Sequence, residues 1–99
     1  MNEHKSYFTV LPAPVRYSQS IKASEKIFYS EIASLCNDKG YCTGSNSYFA
    51  ELYNVNKATI SQYLYSLQKA GFIFCEVDKA GGNYRRIYLC DISIGIVKK

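Results

Sequence analysis

The stretch "AELYNVNKATISQYL", Ala50–Leu64, sets two helix-like runs almost end to end, joined by "YNVNK" with neither glycine nor proline between them. Two helices this close can pack only if the chain turns sharply and the first helix is small where the second crosses it. Ala50 is that small residue, flanked by Phe49 and Tyr53. Asn54 falls at the turn, where the backbone must enter the left-handed region that asparagine visits more cheaply than most residues. Val55 follows as an apolar plug, and Asn56 is a strong candidate to cap the next helix. Ile60, Tyr63, Leu64 and Leu67 then repeat at helical spacing and give that helix an inward face. It is expected to run to Ala70, with Gly71 as the residue that ends it.

Upstream, "SQSIKASEKIFYSEIASLCNDKGY" reads as another helix, capped by Ser20 or Ser24 and ended by Asn37, Asp38 and Gly40. Ile21, Ile27, Phe28, Ile32, Leu35 and Cys36 are its expected apolar residues. Tyr41–Thr43 reads as a very short strand. The next helix starts at Asn46 or Ser47, with Phe49, Leu52 and Tyr53 on one side. Residues 7–18, "YFTVLPAPVRYS", combine β-formers with Pro12 and Pro14 and are expected to be an extended segment along the domain's edge.

After Gly71 the period changes to two. "FIFCEVD" and "YRRIYLCDI" flank "KAGGN", the signature of a β-hairpin with a glycine-rich loop. The tail "SIGIVKK" reads either as a last strand or as a linker to a longer parent. The fold class is therefore α+β and mainly helical, three helices and a small antiparallel hairpin. It forms one domain over 1–99, with the extended segment at 7–18, the helix pair at 45–71 and the hairpin at 72–91.

Composition bounds the function. Ninety-nine residues suffice for one domain, and 47% hydrophobic with 20% charged residues describes a globular chain. Twelve basic and eight acidic residues leave a net charge of +4, too mild to identify a nucleic-acid binder by itself. Ten tyrosines and no tryptophan favour half-buried or interfacial aromatic positions. No apolar run approaches the about eighteen residues of a membrane span, and no secretory leader is evident, so a cytoplasmic setting is expected. There Cys36, Cys42, Cys75 and Cys90 are read as reduced, mostly buried thiols rather than metal ligands, since none forms a C-x-x-C pair. No cofactor and no metal are expected. An enzyme is disfavoured, because there is one histidine near the N-terminus, no paired carboxylates in one motif and no glycine-rich phosphate loop.

"YFAELYNVNKATISQYLYSLQKAGFI" resembles the core of bacterial winged helix-turn-helix domains. Together with "FTVLPAPVRYSQSIKASEKIFYSEIASLCNDKGYCTGSNSYFA", it is similar to the replication-initiator-type helix-turn-helix proteins of phages, plasmids and bacteria, over residues 8–90. Asn54 departs from the glycine usual at that turn. The resemblance implies a winged helix-turn-helix fold that binds duplex DNA, with the helix after Asn56 in the major groove and the hairpin as wing. Carried over residue by residue, Asn56, Lys57, Ala58, Ser61, Gln62 and Tyr65 form the DNA-binding face. Residues 58, 61, 62 and 65 independently follow the spacing of one helix face opposite the apolar stripe. Gln62 suits adenine and Ala58 a thymine methyl. Lys57 suits a phosphate, Ser61 and Tyr65 either a phosphate or a base, and Thr59 lies between the faces. In the wing, Lys79, Asn83, Arg85 and Arg86 flank Gly81 and Gly82. Arg86 is the arginine expected to face DNA, because Arg85 shares the parity of Ile87 and Leu89. Ser45 and Asn46 would meet phosphate at a helix start or simply cap it. Expected partners are double-stranded DNA and, beyond it, a second copy of the chain or replication or transcription proteins, with no membrane and no small-molecule substrate. The alternative is a winged helix that docks other proteins.

Overall fold

Phe28, Ile32, Phe49, Ile60, Leu67 and Ile87 are almost wholly withdrawn from solvent, and the elements that carry them define the architecture. The computed structural model describes residues 11–37, 39–78 and 84–91. In chain order these form α1 (Ala13–Arg16), α2 (Ala23–Leu35), α3 (Asn46–Tyr53), α4 (Lys57–Lys69), β1 (Ile73–Asp78) and β2 (Tyr84–Leu89). The three helices read from the sequence are α2, α3 and α4, and β1 with β2 is the hairpin. The fold is a winged helix-turn-helix with one extra helical turn.

That turn corrects the extended reading of residues 7–18 over Ala13–Arg16; residues 7–10 lie outside those described. Pro14 sits in the first turn, where its missing N–H has no intrahelical partner to lose. The Arg16 amide donates to the Pro12 carbonyl at 2.8 Å, and fully buried Val15 anchors the turn to the core. The Lys26 ammonium donates to the Arg16 carbonyl at 2.7 Å and ties the turn to α2.

Neither Ser20 nor Ser24 caps α2. Lys22 is the N-cap, and the Glu25 carboxylate reaches back to accept its amide at 2.8 Å. Glu25 is itself buried, so the carboxylate neutralises the positive end of the helix from inside the fold. Ile27, expected inward, is exposed, and Tyr29 takes the core place instead. Leu52 of α3 is likewise exposed, while Ala50 is buried beside Phe49.

Helix α3 ends as the sequence suggested. Asn54 is left-handed (φ 57°, ψ 48°), the only described non-glycine residue with positive φ. The Val55 amide donates to the Ala50 carbonyl at 3.0 Å and the Asn54 amide to the Glu51 carbonyl at 3.3 Å, the paired bonds of a Schellman ending. Val55 packs against the core. Asn56 then caps α4, its Oδ1 accepting the Thr59 amide at 2.9 Å. Ile60, Leu64 and Leu67 face inward, and Tyr63 lies 5.4 Å from the Phe28 ring. Gly71 (φ 86°) repeats the Schellman ending, with Phe72 N–H donating to the Leu67 carbonyl.

The hairpin pairs Ile73 with Leu89, Cys75 with Ile87 and Val77 with Arg85. Those residues share one face, and Ile73 and Ile87 on it are buried. The expected strand at Tyr41–Thr43 is a single bridge, Cys42 with Ile87, through hydrogen bonds of 2.9 and 2.8 Å. Cys36, Cys42 and Cys90 are buried free thiols and Cys75 is half-buried. Burial, aided by Cys42, pushes the Cys36 thiol up from 9.0 to about 11.

Three stability measurements check this packing. A Cβ on Gly44 would stand 2.6 Å from the Phe49 ring, so Gly44→Ala is expected to cost about 1–3 kcal/mol in urea unfolding. Asn54→Gly should be neutral within about 0.5 kcal/mol, whereas Asn54→Ala should lose about 1–2 kcal/mol because alanine pays the left-handed penalty in full. The third concerns pH. A thiol whose pKa is higher folded than unfolded stabilises the fold fully below its unfolded value and loses that contribution as pH rises through the folded value. The urea midpoint should therefore hold from about pH 7 to 8.5 and fall between about 9 and 11, with a shallower fall in Cys36→Ala.

Candidate nucleic-acid interface

Because Ile60, Leu64 and Leu67 turn one face of α4 inward, its period of 3.6 leaves the opposite face to solvent. Lys57, Ala58, Ser61, Gln62 and Tyr65 are all exposed on α4. The residues carried onto the reading face thus come together in space. Thr59 is half-buried and turned to the cap, its hydroxyl donating to Asn56 Oδ1 at 3.0 Å. Asn56 is occupied in ending the turn. Gln62 Nε2 donates to Ser66 Oγ at 3.2 Å, which holds its amide along the helix. The Lys69 ammonium lies 5.7 Å from the centre of the Tyr65 ring and adds a cation to the same surface, one that the sequence reading omitted from the site.

The start of α3 meets this face. Ser45 is an ordinary N-cap, accepting the Tyr48 amide at 3.0 Å. Asn46 faces α4 and the wing together: its Nδ2 donates to Ser61 Oγ at 3.0 Å, and its Oδ1 accepts from Arg85 Nη1 at 2.7 Å. Arg85 Nη2 also donates to the Gly44 carbonyl at 2.6 Å. Four expected site residues, Ser45, Asn46, Ser61 and Arg85, therefore lie at one corner, where α3, α4 and β2 converge.

Arg86, the arginine expected to face DNA, does not join that corner. Strand parity puts Arg85 on the side of Ile87. That side, however, faces the helices, and beyond the core it delivers the guanidinium to the start of α3. Arg86 lies on the other face of the sheet, 5.4 Å from the centre of the Tyr41 ring. There Phe74 and Tyr88 stack at 4.9 Å and Tyr41 lies 5.7 Å from Tyr88. Burial pushes the Cys75 thiol up, and the Arg85 guanidinium partly opposes that rise, as expected for a cation on the inner face. Lys79 and Asn83, with Gly81 and Gly82, lie outside the described residues.

The Gly44 carbonyl is the member of the corner that sequence reasoning missed. Nothing local marks it, since its partner stands forty-one positions away. Among the described residues no three histidine, cysteine or acidic side chains are grouped to hold a metal ion, and no helix is long and apolar enough to cross a membrane.

Comparison with known proteins agrees with this architecture. A family model described as a helix-turn-helix domain matches residues 19–73. No curated protein matches the chain. Among solved structures, "N-Terminal domain of DNA binding protein" superposes with a TM-score of 0.70 at 19% identity, covering 97% of this chain and 81% of its own. "Structure of Rep-DNA complex" gives 0.69 at 19% identity, with 97% and 82% covered. At that identity the likeness is one of fold. The family match takes in α2, α3, the Asn54 turn and all of α4, more than half of the 99 residues, and the chain belongs to the helix-turn-helix domain family.

Proposed function

We propose that this chain binds duplex DNA with sequence preference, placing α4 in the major groove and the hairpin against the flanking backbone. The observation that carries the reading is the exposed face of Lys57, Ala58, Ser61, Gln62 and Tyr65 on a helix locked to α3 by the Asn54 turn. Small and amide side chains on such a face leave room for base edges, and Gln62 has the paired donor and acceptor that match adenine. Lys57 and Ser45–Asn46 stand where phosphates would flank the groove. Lys79, Asn83 and Arg86 of the wing would add backbone contacts. The two superposed structures carry DNA binding in their descriptions, which supports the assignment. A cytoplasmic role in replication initiation or transcription regulation follows from the resemblance of the chain to initiator-type proteins. Under this reading the chain works without cofactor or catalysis, and a second copy would bind where the site is palindromic.

One observation favours the second reading, a module that docks proteins: α4 contains only two cations, Lys57 and Lys69. Salt separates the readings, because phosphate contacts release counterions and protein contacts do not.

The test is selection from random duplex DNA at two salt concentrations. We expect an enriched motif. Gln62→Ala should weaken the selected duplex by about 1–3 kcal/mol and relax one base position, while Lys57→Ala should weaken all duplexes alike and lower the salt slope by about 1. No enriched motif, together with weak binding that neither variant alters, would leave the protein-docking module as the better account.

A further inference from the structure

Arg85, Asn46 and Ser61 come from β2, α3 and α4, yet their polar atoms form one continuous chain. The chemistry of each group fixes its direction. A guanidinium carries donors only, so the Asn46 atom that receives Arg85 at 2.7 Å must be the carbonyl oxygen. The amide nitrogen is thereby turned toward Ser61. That NH2 group also carries donors only, so the Ser61 oxygen accepts at 3.0 Å. A hydroxyl has one proton, and the Ser61 proton must then point elsewhere. Ser61 is exposed, and among the described residues its side chain makes no second hydrogen bond.

We propose that Arg85 is a positioning residue which, through Asn46, commits Ser61 to donate its hydroxyl proton outward, toward an acceptor at the floor of the major groove. The inference rests on the duplex-DNA reading and sharpens it. Groove edges differ in this property. Guanine offers acceptors alone, thymine offers O4 and adenine N7, whereas cytosine presents its amino donor. A Ser61 held as donor therefore disfavours cytosine at the base it faces. Arg85 is poorly placed to serve as a phosphate clamp. It is half-buried, and its two Nη groups already bridge Gly44 and Asn46. Turning to a phosphate would break two charge-assisted hydrogen bonds and release the Asn46 amide to rotate.

The experiment uses the full chain and has two arms. Arg85→Lys keeps the charge but lacks the planar fork that spans both partners. In the first arm, without DNA, the Asn46 side-chain NH2 should give separate, slowly exchanging NMR signals. In Arg85→Lys these should collapse toward the values of a free amide while the backbone spectrum is retained. Asn46 signals unchanged by Arg85→Lys would overturn the relay. The second arm measures affinity for the duplex that the wild-type chain enriches. Arg85→Lys and Ser61→Ala should each weaken it about tenfold, relax the same base position and leave the salt slope unchanged, with the double variant no weaker than either single one. Additive losses would overturn the proposal. So would wild-type binding by Arg85→Lys combined with an Arg85→Ala slope lower by about one, the mark of a phosphate contact. If the wild-type chain enriches no duplex, the DNA reading fails and takes the outward role of Ser61 with it, while the amide signals still decide whether Arg85 orders Asn46.

Discussion

Everything that could contact a groove depends on the angle at which α4 leaves α3, and that angle is set at one residue. Asn54 holds left-handed dihedrals that close two backbone hydrogen bonds over the end of α3. The next residue, Val55, packs half-buried against the core, and the one after it, Asn56, starts α4 with its own side chain. Three consecutive residues thus stop one helix, turn the chain and start another. Ala50 lets the helices approach, being small and buried, and its carbonyl also receives the Val55 amide. Packing and turn are consequently one device. The exposed face of α4 is rigid because the opposite face, through Ile60, Leu64 and Leu67, has no other place to go.

A second constraint joins the wing to this pair. Among the described residues the sheet has two strands and one bridge to Cys42, and a hairpin of that size has little stability alone. Ile73 and Ile87 fix its root in the core, while Arg85 fixes its side at the start of α3. The wing and α4 are therefore coupled through Asn46, which touches both. Both elements are positioned relative to one another before any ligand arrives, which lowers the ordering cost of binding.

The helix pair was legible in the sequence because its signals are local. Asn54, Val55 and Asn56 are adjacent, and the period of Ile60, Leu64 and Leu67 is uninterrupted. Where the reading failed, the deciding contact was remote or two local rules competed. Pro12 and Pro14 suggested extended chain, yet proline also suits a first helical turn, and the burial of Val15 decided between them. Ile27 and Leu52 satisfy a helical period but fall at the margin of the buried stripe and are exposed, while Tyr29 and Ala50 are buried. At α2 the serines were the better caps by type, but a glutamate three residues on reached Lys22 first. The parity of Arg85 and Arg86 was read correctly. What parity cannot reveal is which neighbouring element lies opposite a strand residue once the core ends.

Charge placement supplies the remaining link between fold and function. A helix N-terminus carries a partial positive charge, and a carboxylate in its first turn relieves it by about 0.3–1 kcal/mol. Helix α2 uses Glu25 in this way. Helices α3 and α4 have no acidic residue in their first turns, and α4 instead begins with Lys57, which opposes its own helix dipole. That is unfavourable for the isolated domain. It becomes favourable when a polyanion lies against the same end, since the uncompensated dipole and the lysine then act together. A chain with a net charge of only +4 gains little from its overall field, so positive potential concentrated at the N-terminal end of α4 would matter more to an anionic ligand than the total. The mild composition and the modest charge of α4 are thus compatible with DNA binding, provided the groove is approached at that end.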